Sequence, residues 1–314
     1  MIPLHRLRSP TIERRVRDRV NLALLGLIFC LTLAAAPPPG LHVDCRGQRT
    51  AAPTVILESG AFGTSADWDL VLDDLAVSGR VCAYDRAGVG ASPPRSGEED
   101  VVSIARELAG LLDTQGETQP VILVGHSNGA LYAEAFAALM PQRLAGLVYV
   151  NGVTSNDIAE PALVADLTRE RRASNLAVTA ARLGLAPILA DAMAGSEALP
   201  GPASERKRRA LSRLRRLKVA RDEDRAIVPG LSAVAALGGS PAGIPTVAII
   251  SMPRRPSTLD ETWARAEAVP ARRADVGWVL TLPGGTHTSP LARDRAYVEA
   301  AVAWLRDLAT TPRR

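Results

Sequence analysis

Four short runs of apolar, β-branched residues punctuate the first half of the chain: Thr54–Glu58 (TVILE), Val81–Tyr84 (VCAY), Val121–Val124 (VILV) and Leu147–Val150 (LVYV). Their near-continuous apolarity predicts strands buried on both faces of a parallel sheet. The segment LHVDCRG, which contains Cys45, also reads as a strand. Between the runs, apolar positions recur at helical spacing in Ser65–Val77, Asp100–Leu112 and Ser127–Leu139. The alternation resumes with Pro245–Ile250 (PTVAII), Thr258–Ala268, Gly277–Leu282 (GWVLTL) and Leu291–Leu308. Strand–helix alternation of this length predicts an α/β sheet with helices on both faces.

An insertion at about 154–243 interrupts the alternation; it is alanine-rich, charged and helical in pattern. Within it, Glu205–Arg225 carries ten basic and four acidic residues, and Leu211, Leu214 and Leu217 recur every three positions. This predicts one amphipathic helix with a basic outer face, either a lid beside anionic lipid or a solvated surface. Leu183, Leu185, Ile188, Leu189 and Met193 are candidates for lining an acyl pocket or for sealing the insertion onto the core, as apolar residues more often do.

The N-terminus follows different rules. Six arginines within residues 1–19 precede an apolar run from Val20 to Ala36, which Pro37-Pro38-Pro39-Gly40 ends. A helix over this run would span roughly 25 Å, the short end of what crosses a bilayer. The long basic lead, and Pro37 directly after Ala34-Ala35-Ala36, favour a retained anchor over a cleaved signal peptide. With the arginines cytoplasmic, residues 41–314 lie outside the membrane; secretion after signal cleavage is the alternative. Residues 1–40 are therefore set apart as tail and anchor. Composition adds exclusions. The net charge of +4 is matched by the +4 of residues 1–19 alone, so the pI of about 9.3 says nothing for nucleic acid. Three cysteines exclude a dense disulfide scaffold, and neither CxxC nor HExxH occurs, so no metal site is expected. Cys45 and Cys82, both in exported strands, can pair in an oxidising compartment or remain buried thiols.

The candidate chemistry centres on Gly125-His126-Ser127-Asn128-Gly129, between the strand VILV and a helical segment. G-x-S-x-G at a strand-to-helix turn is the nucleophile-elbow pattern: flanking glycines permit a tight turn that lifts the serine above the sheet's C-terminal edge. Here the chain resembles the α/β-hydrolase family, over residues 41–309. Glu58-Ser59-Gly60-Ala61-Phe62-Gly63 stands where that family carries its oxyanion loop. Tyr84-Asp85-Arg86-Ala87-Gly88-Val89-Gly90-Ala91-Ser92 looks like its D-x-R-G-x-G-x-S turn, and Gly284-Gly285-Thr286-His287 stands where it places its histidine. The resemblance is closest to a membrane-anchored or exported subgroup with an E-S-G loop and a C-A-Y-D-R-A-G segment. It implies an α/β-hydrolase fold for 41–314, with the insertion as a helical cap, and no cofactor.

Ser127 needs a base to act as nucleophile. His5 lies in the tail, His42 opens a strand and His126 adjoins the serine as support for the turn, which leaves His287 as the base. The resemblance suggests the backbone N–H groups of Ala61 and Asn128 as oxyanion donors. For the acid, Asp260 lies 27 residues before His287, but Thr258-Leu259-Asp260-Glu261 also reads as a helix start with Thr258 capping and Glu261 completing a box. Asn151, after LVYV, is an alternative as a neutral orienter, Asp157 is another, and the absence of any third member is the last. A serine hydrolase acting on a small carboxylic ester, or an amide, through an acyl-enzyme is expected. The alternatives are a binding protein that keeps the pocket without catalysis, and an acyltransferase at the membrane surface.

Overall fold

The structure, a computed structural model, describes residues 40–311 apart from 96, 98 and 195–198, and only the backbone of 191–194. The expected anchor at 20–36 and Cys30 lie outside the described residues.

Seven strands form one sheet: β1 (Val43–Arg46), β2 (Val55–Glu58), β3 (Val81–Tyr84), β4 (Val121–His126), β5 (Leu144–Val150), β6 (Thr246–Met252) and β7 (Gly277–Pro283). Their order is β1-β3-β2-β4-β5-β6-β7; β1 runs antiparallel to β3 and every other neighbouring pair is parallel. The apolar runs fill both faces, as continuous apolarity requires. On one face Ile56, Cys82, Tyr84, Leu123, Leu147 and Tyr149 pack against α2 (Val101–Thr114) and α3 (Asn128–Leu139). On the other, Val55, Leu57, Ile122, Val124, Val148 and Ile249 pack against α1 (Asp69–Ala76) and α10 (Ala296–Thr310). Cys45 and Cys82 sit directly opposite each other on β1 and β3 and are joined as a disulfide.

The cap consists of α4 (Pro161–Ala180), a π-turn at Ala181–Leu185, α5 (Ala186–Ala194), α6 (Gly201–Leu211) and α7 (Leu214–Ala236). The single amphipathic helix expected over Glu205–Arg225 is two helices, because Arg213 is extended at φ −101°, ψ 117°. Leu211 and Leu217 nevertheless bury together in the cap's own core. Leu189 joins that core at its edge, but Leu183, Leu185 and Ile188 line neither pocket nor core. They are exposed on the outer side of a bend whose Gly184 has φ +89°. Met193 falls among residues without described side chains.

The remaining helices are α8 (Thr258–Glu267) and α9 (Val269–Arg273). Two expected helices begin later than their pattern suggested. Ser65–Trp68 is a 3-10 turn capped by Thr64 before α1, and Ser289–Leu291 is a 3-10 turn before α10.

Candidate active site

β4 ends at His126, and Ser127 follows with φ 54° and ψ −127° before α3 starts at Asn128. That backbone region is sparsely populated for any residue bearing a Cβ, and the surrounding packing is what maintains it. A Cβ on Gly125 would come within 2.7 Å of the Ala130 Cα, and one on Gly129 within 2.6 Å of the Glu58 carbonyl oxygen. Both flanking glycines are therefore required by close backbone approach. Asn128 is the first residue of α3, so its N–H has no intrahelical acceptor.

The loop after β2 lies against Ser127. A Cβ on Gly60 would fall 2.8 Å from that of Ser127. Gly63 N–H donates to the Gly60 carbonyl at 3.2 Å, closing a turn in which Phe62 has φ 56°. Ala61, in that turn, lines a cleft of about 410 Å³ together with Ser127 and His287. The structure thus brings Ser127, Ala61, Asn128 and His287 to one place.

His287 follows β7 and is held through its backbone. Its carbonyl oxygen accepts from Asn151 Nδ2 at 2.8 Å and from His126 Nε2 at 2.9 Å. Because a carbonyl only accepts, His126 carries its proton on Nε2. Burial, with the neighbouring His287, pushes the His126 pKa down to about 3, so this imidazole stays neutral. The two histidine rings lie 4.8 Å apart. His287 is open on its cleft side while protein surrounds the rest of its ring, and that burial lowers its pKa below the ordinary imidazole value. Asn151 sits at φ 45°, a conformation asparagine tolerates better than most residues, and its Oδ1 accepts from Ser251 N–H at 2.7 Å. Both ends of its amide are occupied, and neither reaches the His287 ring through a hydrogen bond.

The carboxylates considered from sequence are engaged elsewhere. Asp260 Oδ2 accepts from Ser257 N–H at 2.7 Å and Ser257 O–H at 2.6 Å, in a capping box that starts at Ser257, one residue before the expected Thr258. Asp260 does line the far side of the cleft that contains His287. Asp157 is fully buried, accepts from Thr154 N–H at 2.8 Å, and lines neither cavity beside Ser127. Among the described residues no carboxylate hydrogen-bonds the His287 imidazole.

A family model described as the Alpha/beta hydrolase family matches residues 55–300. The chain belongs to that family. It is similar to an AB hydrolase superfamily protein of Gibberella zeae, 36% identical over 134 residues, which span 39% of this chain and 40% of the relative. Among solved structures, a thermophilic esterase from Thermogutta terrifontis superposes with a TM-score of 0.62 at 22% identity, covering 88% of this chain and 97% of that one. The enol-lactonase from Burkholderia xenovorans LB400 gives 0.61 at 20% identity, covering 84% and 96%. At such identities these two show the fold alone.

Within the α/β-hydrolase frame, one element of the site was not assigned from sequence. Arg86, in the turn after β3, is buried between two carboxylates. Its Nη1 donates to Glu58 Oε1 at 2.6 Å, and its Nε and Nη2 form a fork onto Glu223 of α7 at 2.8 Å. The same guanidinium donates to the carbonyls of Ser59 at 2.6 Å and Gly60 at 3.0 Å, the residues just before Ala61. Burial raises the Glu58 carboxyl despite Arg86, and Tyr84 O–H donates to its other oxygen. One arginine therefore ties the loop after β2 to the cap. A second tie is Lys207 of α6, which pairs with Asp67 at 2.6 Å and lines the cleft. The sequence signals were present as E-S-G and D-R-A-G; their partner Glu223 lies 137 residues from Arg86.

Proposed function

We propose that this α/β hydrolase cleaves carboxylic esters, and amides less readily, through an acyl-enzyme formed on Ser127. The observation that carries this reading is the convergence of a strained serine elbow, a glycine loop within van der Waals reach of it, and His287 on one cleft. Ser127 Oγ attacks the substrate carbonyl while His287, neutral near pH 7, takes the proton. The oxyanion so formed accepts from the N–H groups of Ala61 and Asn128, the latter favoured further by the N-terminus of α3. The imidazolium then protonates the leaving alcohol. Water, deprotonated by the same ring, releases the acid and restores Ser127. Asn151 and His126 act at a remove, fixing the peptide that carries the base. Asp260 and Asp157 serve local turns, and the reacting pair works as a Ser127–His287 dyad.

Residues 20–36 are proposed as a membrane anchor that leaves this domain extracytoplasmic. The Cys45–Cys82 disulfide supports the placement, since such bonds persist in oxidising compartments.

The test is labelling of the full chain with a fluorophosphonate, located by mass spectrometry, beside hydrolysis of a short-chain 4-nitrophenyl ester. Modification at Ser127 and turnover, both lost in Ser127→Ala, are expected. A folded protein that is neither labelled nor active would favour the binding-protein alternative.

A further inference from the structure

Ser127, Glu170 and His287 line two cavities at once, so the cleft has two arms that meet at the nucleophile. The first arm, beside the oxyanion loop, takes much of its wall from Phe62, Trp68, Ala173, Ala177 and Leu291. The second, of about 390 Å³, is walled by α4, α8 and the loop of His287, and it is different in kind. Among the described residues four carboxylates line it and no lysine or arginine does.

Two of the four are committed to neighbours: Asp166 accepts from the Trp263 indole N–H at 3.0 Å, and Asp260 caps its helix. The other two, Glu170 and Glu267, have no hydrogen-bond donor among the described residues. Glu267 is the telling one, with only 8% of its surface exposed and that surface facing the arm. A largely desolvated carboxyl without a protein donor gains from a cationic N–H donor that reaches it through the arm. Trp263, on the same wall, adds an aromatic ring of the kind that attracts cations.

We propose that this second arm receives a cationic group of the substrate, an ammonium carried on the acyl or the alcohol portion of an ester. The proposal rests on the serine-hydrolase reading and narrows its substrate class. Burial, with Asp157 nearby, pushes the Glu267 carboxyl up to about 8, and burial, with Asp166 and Asp224 nearby, pushes Glu170 to about 7. Without a cationic neighbour both are held close to their neutral form. An ammonium supplies both the missing charge and the missing N–H donors, whereas an anionic substrate would face the carboxylates of α4 and α8.

Two pairs of esters matched in shape test this on the full chain. 4-Nitrophenyl 6-aminohexanoate against 4-nitrophenyl heptanoate places the charge on the acyl side. 3-(Trimethylammonio)phenyl acetate against 3-tert-butylphenyl acetate places it on the leaving group. The expected result is at least a tenfold higher kcat/KM for the cation in one pair, with the ratio falling about tenfold in Glu267→Gln. Glu170→Gln provides a second variant if Glu267→Gln does not fold. Equal or better turnover of the neutral member in both pairs would overturn the inference and leave the hydrolase reading intact. If no ester is turned over, the hydrolase reading fails, and calorimetric binding to the Ser127→Ala protein still decides the inference. Tighter binding of hexylammonium than of 1-hexanol, lost in Glu267→Gln, supports it; equal binding refutes it.

Discussion

On one side of Ser127, the oxyanion loop is gripped by Arg86, which is itself held between the buried carboxylates of Glu58 and Glu223. On the other side, the loop carrying His287 is held by a neutral amide and a neutral imidazole, both bonding to one backbone carbonyl. The first side fixes position with charge in a dry interior, where each partner depends on the others. The second uses ordinary hydrogen bonds, each worth about 1 kcal/mol net. The contrast suits the two tasks. In the proposed mechanism the oxyanion donors must already be in place when charge develops, whereas the base must carry a proton across and return it.

Breaking the charged side should have the largest effect. Arg86→Met leaves two buried carboxylates facing each other without their cation, which costs roughly 3–5 kcal/mol when one member of a buried pair is removed. Urea unfolding should show a loss of that size, with fluorophosphonate labelling of Ser127 slowed in whatever protein remains folded. A change under about 1 kcal/mol would mean that the network contributes little.

Placing a charge on the neutral side should come next. Asn151→Asp replaces the donor to the His287 carbonyl with an acceptor, so it loses one bond and adds repulsion, about 1–3 kcal/mol. Activity is expected to fall about tenfold. If the variant were instead faster than the parent, Asn151 would stand where an acid orients the ring.

Within about one pH unit of neutrality, a smaller effect concerns acid. His126 keeps a pKa near 3 when folded, against an ordinary value of 6.5, so below pH 6.5 the unfolded chain takes up a proton that the folded chain refuses. Its contribution to stability is complete above pH 6.5 and declines as the pH falls toward 3, by up to about 1.4 kcal/mol per pH unit. His126→Gln keeps an N–H donor and should lose this slope, which thermal melts at a series of pH values would reveal. Smallest is the shift of the kinetic profile. Burial lowers the His287 pKa, so kcat/KM for a neutral ester should fall to half only below pH 6.5, the ordinary imidazole value.

Much of this was legible in the chain. The parallel strands were readable because each must be apolar on both faces, and the elbow because only glycine fits beside Ser127 at those approaches. What could not be read depends on contacts between distant segments or on a single turn. The pairing of Arg86 with Glu223 joins a core loop to a cap helix, and no periodicity records it. The outward position of Leu183, Leu185 and Ile188 follows from the bend at Gly184, which helical spacing alone does not show. For the third catalytic member, sequence distance kept Asp260 in play while the competing cap signal lay one residue off its observed start.

The proposed mechanism therefore runs on a Ser127–His287 dyad whose base is placed through its backbone. The most direct measurement is the rate of fluorophosphonate labelling of Ser127 in Asp260→Asn and Asp157→Asn, with His287→Ala as reference. His287→Ala is expected to lose labelling by at least about 10³-fold, while both aspartate variants stay within about threefold of the parent. A drop of about 10⁴-fold in either of them, the size associated with losing a triad acid, would contradict the dyad and name the missing carboxylate.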